Sequence, residues 1–158
     1  MIKCKRIAST TIKWKRITSA RVDPPARATP GAAGYDLRWH PTSHDTQITL
    51  IIYPGQLVWL ETGFAVRVPD GYVGRVEDRS GRAGSGLTTR AGTIDTDYRS
   101  EIMVLVTNES ENERPIKLTP GERIAQILFL PCLTDDSELV DSLDDTDRGT
   151  NGFGSTGD

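Results

Sequence analysis

Two carboxylates stand two residues apart in "GTIDTDYRS", residues 92–100: Asp95 and Asp97. In an extended strand, residues i and i+2 share a face. The spacing therefore predicts that both acids project together, with Ile94 and Thr96 turned the other way. Carboxylates so placed can bind a metal or divide acid and base work, and the same pattern suits a solvated strand face. Gly92, just upstream, lets the backbone approach a flat ligand closely. A second group, "EDRSGRAGSG" at residues 77–86, places Arg79, Ser80 and Gly81 in succession and reads either as an anion-binding turn or as an ordinary loop. "AAGYDL" (32–37) reads as a turn entering a strand that carries Asp36, and "GERIAQILFLP" (121–131) as a turn entering a buried strand that carries Gln126.

The C-terminal stretch "RGTNGFGSTGD" (148–158) contains four glycines and a single aromatic, Phe153. Glycine loses the most backbone entropy on ordering, so such a segment needs something else to fold onto. "GFGSTG" formally satisfies G-x-G-x-x-G, and "GTNGFGST" has the outline of a Walker A loop without its lysine. Both labels fail on context, because neither follows a strand and opens a helix. The local chemistry remains: unshielded amides near Gly154, the hydroxyls of Ser155 and Thr156, and the fork of Arg148, all suited to a polyphosphate. Phe153 can stack on a base, a contact worth about 1–3 kcal/mol.

The elements that must position these residues read as short strands between turns. "ITLIIY" is followed by Pro54-Gly55, "LVWLETGFAVRV" by Pro69-Asp70-Gly71, and "IKL" by Thr119-Pro120-Gly121 before "RIAQILFL". Proline and glycine at such positions pre-set φ or permit positive φ, so each cluster predicts a chain reversal. Ile12, Trp14 and Arg16 alternate with Lys13, Lys15 and Ile17 as a half-buried edge strand does, and "EIMVLVTN" reads as a buried strand. The acidic segment "TDDSELVDSLDDTD" offers at most one or two helical turns. Many close-spaced strands predict an all-β, jelly-roll-like β sandwich. Residues 1–147 form the β domain, and residues 148–158 a glycine-rich arm.

Composition narrows the function classes. With 158 residues, 36% hydrophobic and 26% charged, the chain suits one ordinary globular domain. No apolar run approaches the roughly 20 residues that cross a bilayer, and the N-terminus lacks the apolar core of a secretory signal. The expectation is a cytoplasmic protein without a membrane partner. Cys4 and Cys132 have no metal-ligand or redox-motif spacing and read as free thiols, and His40 and His44 as residues of a solvated loop. Basic residues gather in the first thirty positions, but Trp14 alone is thin aromatic support for a nucleic-acid surface, so no direct nucleic-acid binding is expected.

Together, "AAGYDL", "DRSGRA", "GTIDTDYRS", "GERIAQ" and "RGTNGFGSTG" resemble, in order, the five motifs of the trimeric dUTPases, over residues 27 to 157. The resemblance implies hydrolysis of dUTP to dUMP and pyrophosphate with Mg²⁺, which keeps uracil out of DNA and supplies dUMP for dTMP synthesis. It implies Asp95 as the water-activating carboxylate and Tyr98 as the ring beneath the deoxyribose. Gly92, Ile94 and Met103 would belong to a hairpin reading uracil through its backbone. Arg79, Ser80, Gly81 and Gln126 would contact phosphates, and Asp36 would lie near the metal as an outer-sphere acid. Arg148, Phe153, Gly154, Ser155 and Thr156 would form a mobile arm over base and γ-phosphate, exchanged within a homotrimer whose sites draw on three chains. This sequence departs from the family pattern at Arg82, where an apolar residue is usual, at Asp78, where proline is frequent, and at Asn151, where glycine is frequent. The segment from Arg79 to Asp95 is also short. Two rival readings are a dCTP deaminase, which needs a proton shuttle beside the pyrimidine, and a nucleotide-gated binding module for a protein partner.

Overall fold

The computed structural model describes residues 11–41, 47–111, 113–147 and 149. Among the described residues, eleven short strands and one helical turn follow one another: β1 (Lys13–Arg16), β2 (Tyr35–Arg38), β3 (Leu50–Ile52), β4 (Leu57–Glu61), β5 (Phe64–Arg67), β6 (Tyr72–Glu77), α1 (Ser80–Ala83), β7 (Leu87–Thr89), β8 (Thr93–Ile94), β9 (Met103–Asn108), β10 (Ile116–Leu118) and β11 (Arg123–Pro131). All pairings are antiparallel. A four-stranded sheet runs β2-β11-β6-β8 and a three-stranded sheet β4-β9-β7, with β1-β5 and β3-β10 as flanking pairs. This is the jelly-roll-type β sandwich that the turn spacing predicts.

The three predicted reversals share one geometry. Gln56 donates its amide to Tyr53 O, Tyr72 to Pro69 O and Glu122 to Thr119 O, and the third residue of each turn is a glycine at φ 76°, 77° and 87° respectively. A type II turn demands positive φ at that position, which is why glycine stands there. The run "LVWLETGFAVRV" is not one strand. It breaks at Gly63 (φ 75°) into β4, which pairs with β9, and β5, which pairs with β1. Two strands of one apolar run thereby serve different sheets, a division that hydrophobicity alone does not reveal.

Alternation along the strands builds the core. Leu60, Val104, Val106, Leu87, Leu37, Ile124 and Ile127 are buried, together with Val66, Val68, Ile102 and Leu118. On β1, Trp14 packs against this core while Lys13 and Lys15 face water, as the alternation predicts. Buried polar groups are satisfied: the Thr62 hydroxyl donates to Ile102 O (2.7 Å), and the Asn108 amide donates to Ile52 O (2.9 Å) and Arg114 O (2.8 Å). The acidic segment from Leu133 to Val140 adopts neither helix nor strand. Among the described residues no helix is long and apolar enough to cross a membrane. Cys132 is a free, exposed thiol, whereas Cys4 and His44 lie outside the described residues.

Candidate active site

Three neighbouring strands bring the first, second and fourth motifs together. Gln126 on β11 is the register partner of Asp36 on β2 and of Glu77 on β6, so these three residues form a row across the sheet. The chain leaves β6 at Glu77 and turns into α1 with Arg79 as its extended N-cap residue (φ −95°, ψ 130°). That turn sends the Arg79 side chain back over the row, where Nε meets Asp36 Oδ1 at 2.8 Å. Arg123 NH1 lies 3.4 Å from Asp36 Oδ2, so both oxygens of this mostly buried carboxylate face guanidinium groups. Gln126 Nε2 donates to Asp78 O at 2.9 Å. Gly34 lies beneath it, and a Cβ there would stand 2.3 Å from Gln126 Oε1 and so displace this amide.

Ser80 and Gly81 are exposed at the start of α1. Their amides precede the helix's first hydrogen bond, which Arg82 N–H donates to Arg79 O at 2.8 Å, and are therefore free for an incoming anion. The Asp78 carboxylate accepts the Thr89 amide at 2.6 Å and ties this corner to β7. Motif reading missed Arg123 and Glu122, although "GERIAQ" spells both. Only the pairing of β11 with β2 shows that Arg123 reaches Asp36.

The third motif builds a separate structure. Gly92 lies against β6, accepting the Val76 amide at 2.8 Å, and a Cβ at Gly92 would stand 2.6 Å from Val76 O. Ile94 is buried opposite Gly74. The strand expected to carry both Asp95 and Asp97 on one face ends at Ile94. Asp95 begins a turn closed by Tyr98 N–H to Asp95 O at 3.2 Å, so the period-2 argument does not govern these acids. The physical reason is composition: two aspartates within three residues favour a turn over a pleated strand. Asp95 is exposed and makes no ion pair with another described residue. The Tyr98 ring packs on the core edge and its hydroxyl donates to Glu101 O at 2.7 Å. Met103 opens β9, paired with Glu61.

Register then measures the distance between the two groups. β8 runs antiparallel to β6 with Arg75 opposite Thr93 and Gly74 opposite Ile94, so the ladder leads away from Glu77 before the turn at Asp95 begins. Gly74, the last paired position, lies three strand residues from Glu77, about 10 Å at 3.3 Å per residue. Arg79 bends back toward the Glu77 end of β6 to meet Asp36, whereas the Asp95 turn begins beyond the far end of the β8 ladder. The arm residues Arg148, Phe153, Gly154, Ser155 and Thr156 lie outside the described residues.

The dUTPase family model matches residues 20–157. Among curated relatives, the deoxyuridine 5'-triphosphate nucleotidohydrolase of Desulfitobacterium hafniense is 47% identical over 137 residues, covering 84% of this chain and 86% of that protein. That of Caulobacter vibrioides is 41% identical over 154 residues, covering 95% and 96%. The solved structure of Staphylococcus bacteriophage 80alpha dUTPase with dUPNHPP superposes with a TM-score of 0.78 at 26% identity, over 94% of this chain and 99% of that one. With the family model matching most of its length and relatives of this identity spanning nearly all of it, the chain belongs to the dUTPase family.

Proposed function

We propose that the chain hydrolyses dUTP to dUMP and pyrophosphate, as a homotrimer whose sites take the Arg79 group from one copy and the Asp95 hairpin from another. The placement of those groups along β6 supports this reading most directly: each half offers what the other lacks, and the β8 ladder ends about 10 Å along β6 from Glu77 before the Asp95 turn begins. Exposed apolar side chains support association. Ile51, Tyr53, Leu57 and Trp59 flank the Pro54-Gly55 turn, and Leu133, Leu139 and Leu143 stand exposed beyond β11. Apolar surface of that kind marks protein contacts.

Attack at the α-phosphorus needs a positioned water, a base and charge compensation. Asp95, exposed and unpaired, is the base: it takes the water's proton as the new P–O bond forms and the bond to the bridging oxygen breaks. Arg79, held by Asp36, and the Ser80 and Gly81 amides neutralise phosphate oxygens, with Gln126 beside them. The hairpin edge at Gly92, Ile94 and Met103 offers backbone to the base, and Tyr98 sits where a sugar lies above it. Arg148, Phe153, Gly154, Ser155 and Thr156 close over the nucleotide and exclude bulk water.

The residues present fit a magnesium ion. Among the described residues no three His, Cys, Asp or Glu side chains gather into a metal cage. Mg²⁺ retains waters and needs one or two carboxylates beside phosphate oxygens. Asp36, engaged by two arginines, would face such an ion through its waters as an outer-sphere acid, and Asp95 keeps its role as the base. When bound, the ion supplies charge compensation on the triphosphate.

Pyrophosphate release across the common nucleoside triphosphates, with and without Mg²⁺, tests the reaction. Asp95→Asn should lower turnover at least about a hundredfold, the usual scale for a lost general base, and spare nucleotide binding. Asp95→Asn and Arg79→Ala chains, each inactive alone, should recover roughly a quarter of the native rate when refolded together, since a random mixture forms some sites from two intact halves. A mixture that stays as inactive as its components would refute the shared site.

A further inference from the structure

We infer that Arg82 and Glu122 form a clamp that presets α1 for phosphate binding, making Arg82 a positioning residue of this enzyme. The inference rests on the reading of α1 as the phosphate-binding corner. α1 is one turn long, buries no residue and has no side-chain hydrogen bond at its N-cap. An isolated turn of this length has no stability of its own. One flank borders an open cavity of about 640 Å³ lined by Arg82, Gly84, Ser85, Glu109 and Arg114, so packing does not hold it there.

What holds it is charge and hydrogen bonding. Arg82 Nε donates to Arg123 O at 2.9 Å and its NH2 donates to Glu122 Oε2 at 3.0 Å. The Arg123 carbonyl is available because the pairing of β11 with β2 is irregular between Arg123 and Ala125, where a bulge leaves a residue out of the ladder. Glu122 is fixed in turn, since the same Oε2 accepts the Thr119 amide at 3.3 Å. The Arg123 side chain continues to Asp36, and Asp36 to Arg79. A closed circuit results: Arg79 at the N-cap and Arg82 within α1 each grip the β2-β11 sheet, one through Asp36 and the other through Glu122 and the Arg123 carbonyl. An apolar side chain at position 82 has no donor for either acceptor. Lysine could meet Glu122 but has a single nitrogen, where the guanidinium spreads two donors across two acceptors.

The test uses the full-length chain with three variants, Arg82→Leu, Arg82→Lys and Glu122→Gln. Amide hydrogen exchange at residues 82–84 of the nucleotide-free protein, whose amides close the turn, reads the clamp without reference to any substrate. Steady-state pyrophosphate release from dUTP reads its consequence. Arg82→Leu should speed exchange at these amides at least about tenfold and raise KM about three- to tenfold, with kcat within about twofold of native, because binding geometry is loosened while the base is untouched. Arg82→Lys should fall between Leu and native. Glu122→Gln should act in the same direction more weakly, and the Leu/Gln double variant should be no worse than Arg82→Leu alone. Native exchange in Arg82→Leu overturns the clamp. Faster exchange with native KM overturns its role in binding, and a raised KM with native exchange would make Arg82 a direct substrate contact instead. Should Arg82→Leu not fold, the Lys and Gln variants carry the same readouts. Absence of dUTP turnover in the native chain would count against the proposed function and leave the exchange result standing.

Discussion

Gly92→Ala tests how tightly the hairpin depends on its seat against β6. A Cβ at position 92 would lie 2.6 Å from Val76 O, 2.9 Å from Val76 Cβ and 3.2 Å from Val76 C, all part of the neighbouring strand rather than a flexible side-chain tip. Restoring ordinary contact moves β8 away by roughly 0.5–1 Å. The hydrogen bond from Val76 N to Gly92 O, now 2.8 Å, would stretch past the useful range. Overpacking of this kind costs about 1–3 kcal/mol, and the lost backbone bond adds about 1 kcal/mol. We therefore expect Gly92→Ala to destabilise by about 2–4 kcal/mol in urea unfolding at fixed protein concentration. Displacement of the reading edge by this amount should also reduce kcat/KM for dUTP about tenfold to a hundredfold. Gly31→Ala is the control, because nothing lies within 4 Å of its added Cβ and its φ is not positive. If Gly92→Ala unfolds at the same urea midpoint as Gly31→Ala and keeps native kinetics, the close contact between Gly92 and β6 does not constrain the site.

Truncation after Asp147 should leave the urea midpoint of the β domain within about 0.5 kcal/mol of native and reduce hydrolysis at least about a hundredfold; an unchanged rate would show that residues 148–158 take no part. Asn108→Ala removes a buried side chain that donates to Ile52 O and Arg114 O and accepts the Ser110 amide, so a loss of about 3–5 kcal/mol is expected by chemical denaturation, and less than about 1 kcal/mol would contradict this network. His40 has its pKa lowered, first by burial and then by the Arg38 charge. The unfolded chain therefore binds the proton more readily, and stability contributed by neutral His40 is present above pH 6.5 and falls as pH drops through that value toward the lower folded pKa. His40→Gln should flatten the loss of stability on acidification in that window, and an identical pH profile would show that His40 does not contribute.

Local rules determined a large share of this protein before any contact was known. The Pro-Gly clusters specified three chain reversals, since positive φ is a property of single residues, alternation at Trp14 specified which face of β1 is buried, and the apolar run at 103–108 specified a buried strand. The order of five motifs named the family and singled out Arg79, Asp95 and Gln126. Other features depend on which strand lies beside which, and spacing along the chain does not encode that. Pairing of β11 with both β2 and β6 set Gln126 between Asp36 and Glu77, and it brought Arg123 to Asp36 and Arg82 to Glu122 across 40 residues of sequence. The turn at Asp95 replaced the strand that period-2 reasoning predicts, because the ladder with β6 ends at Ile94 and no partner holds the next residues extended. The distance between Asp95 and Arg79 was likewise decided by the register of β8 on β6. Residue types fix what chemistry is available, whereas long-range hydrogen-bonded pairing fixes which groups can reach one another.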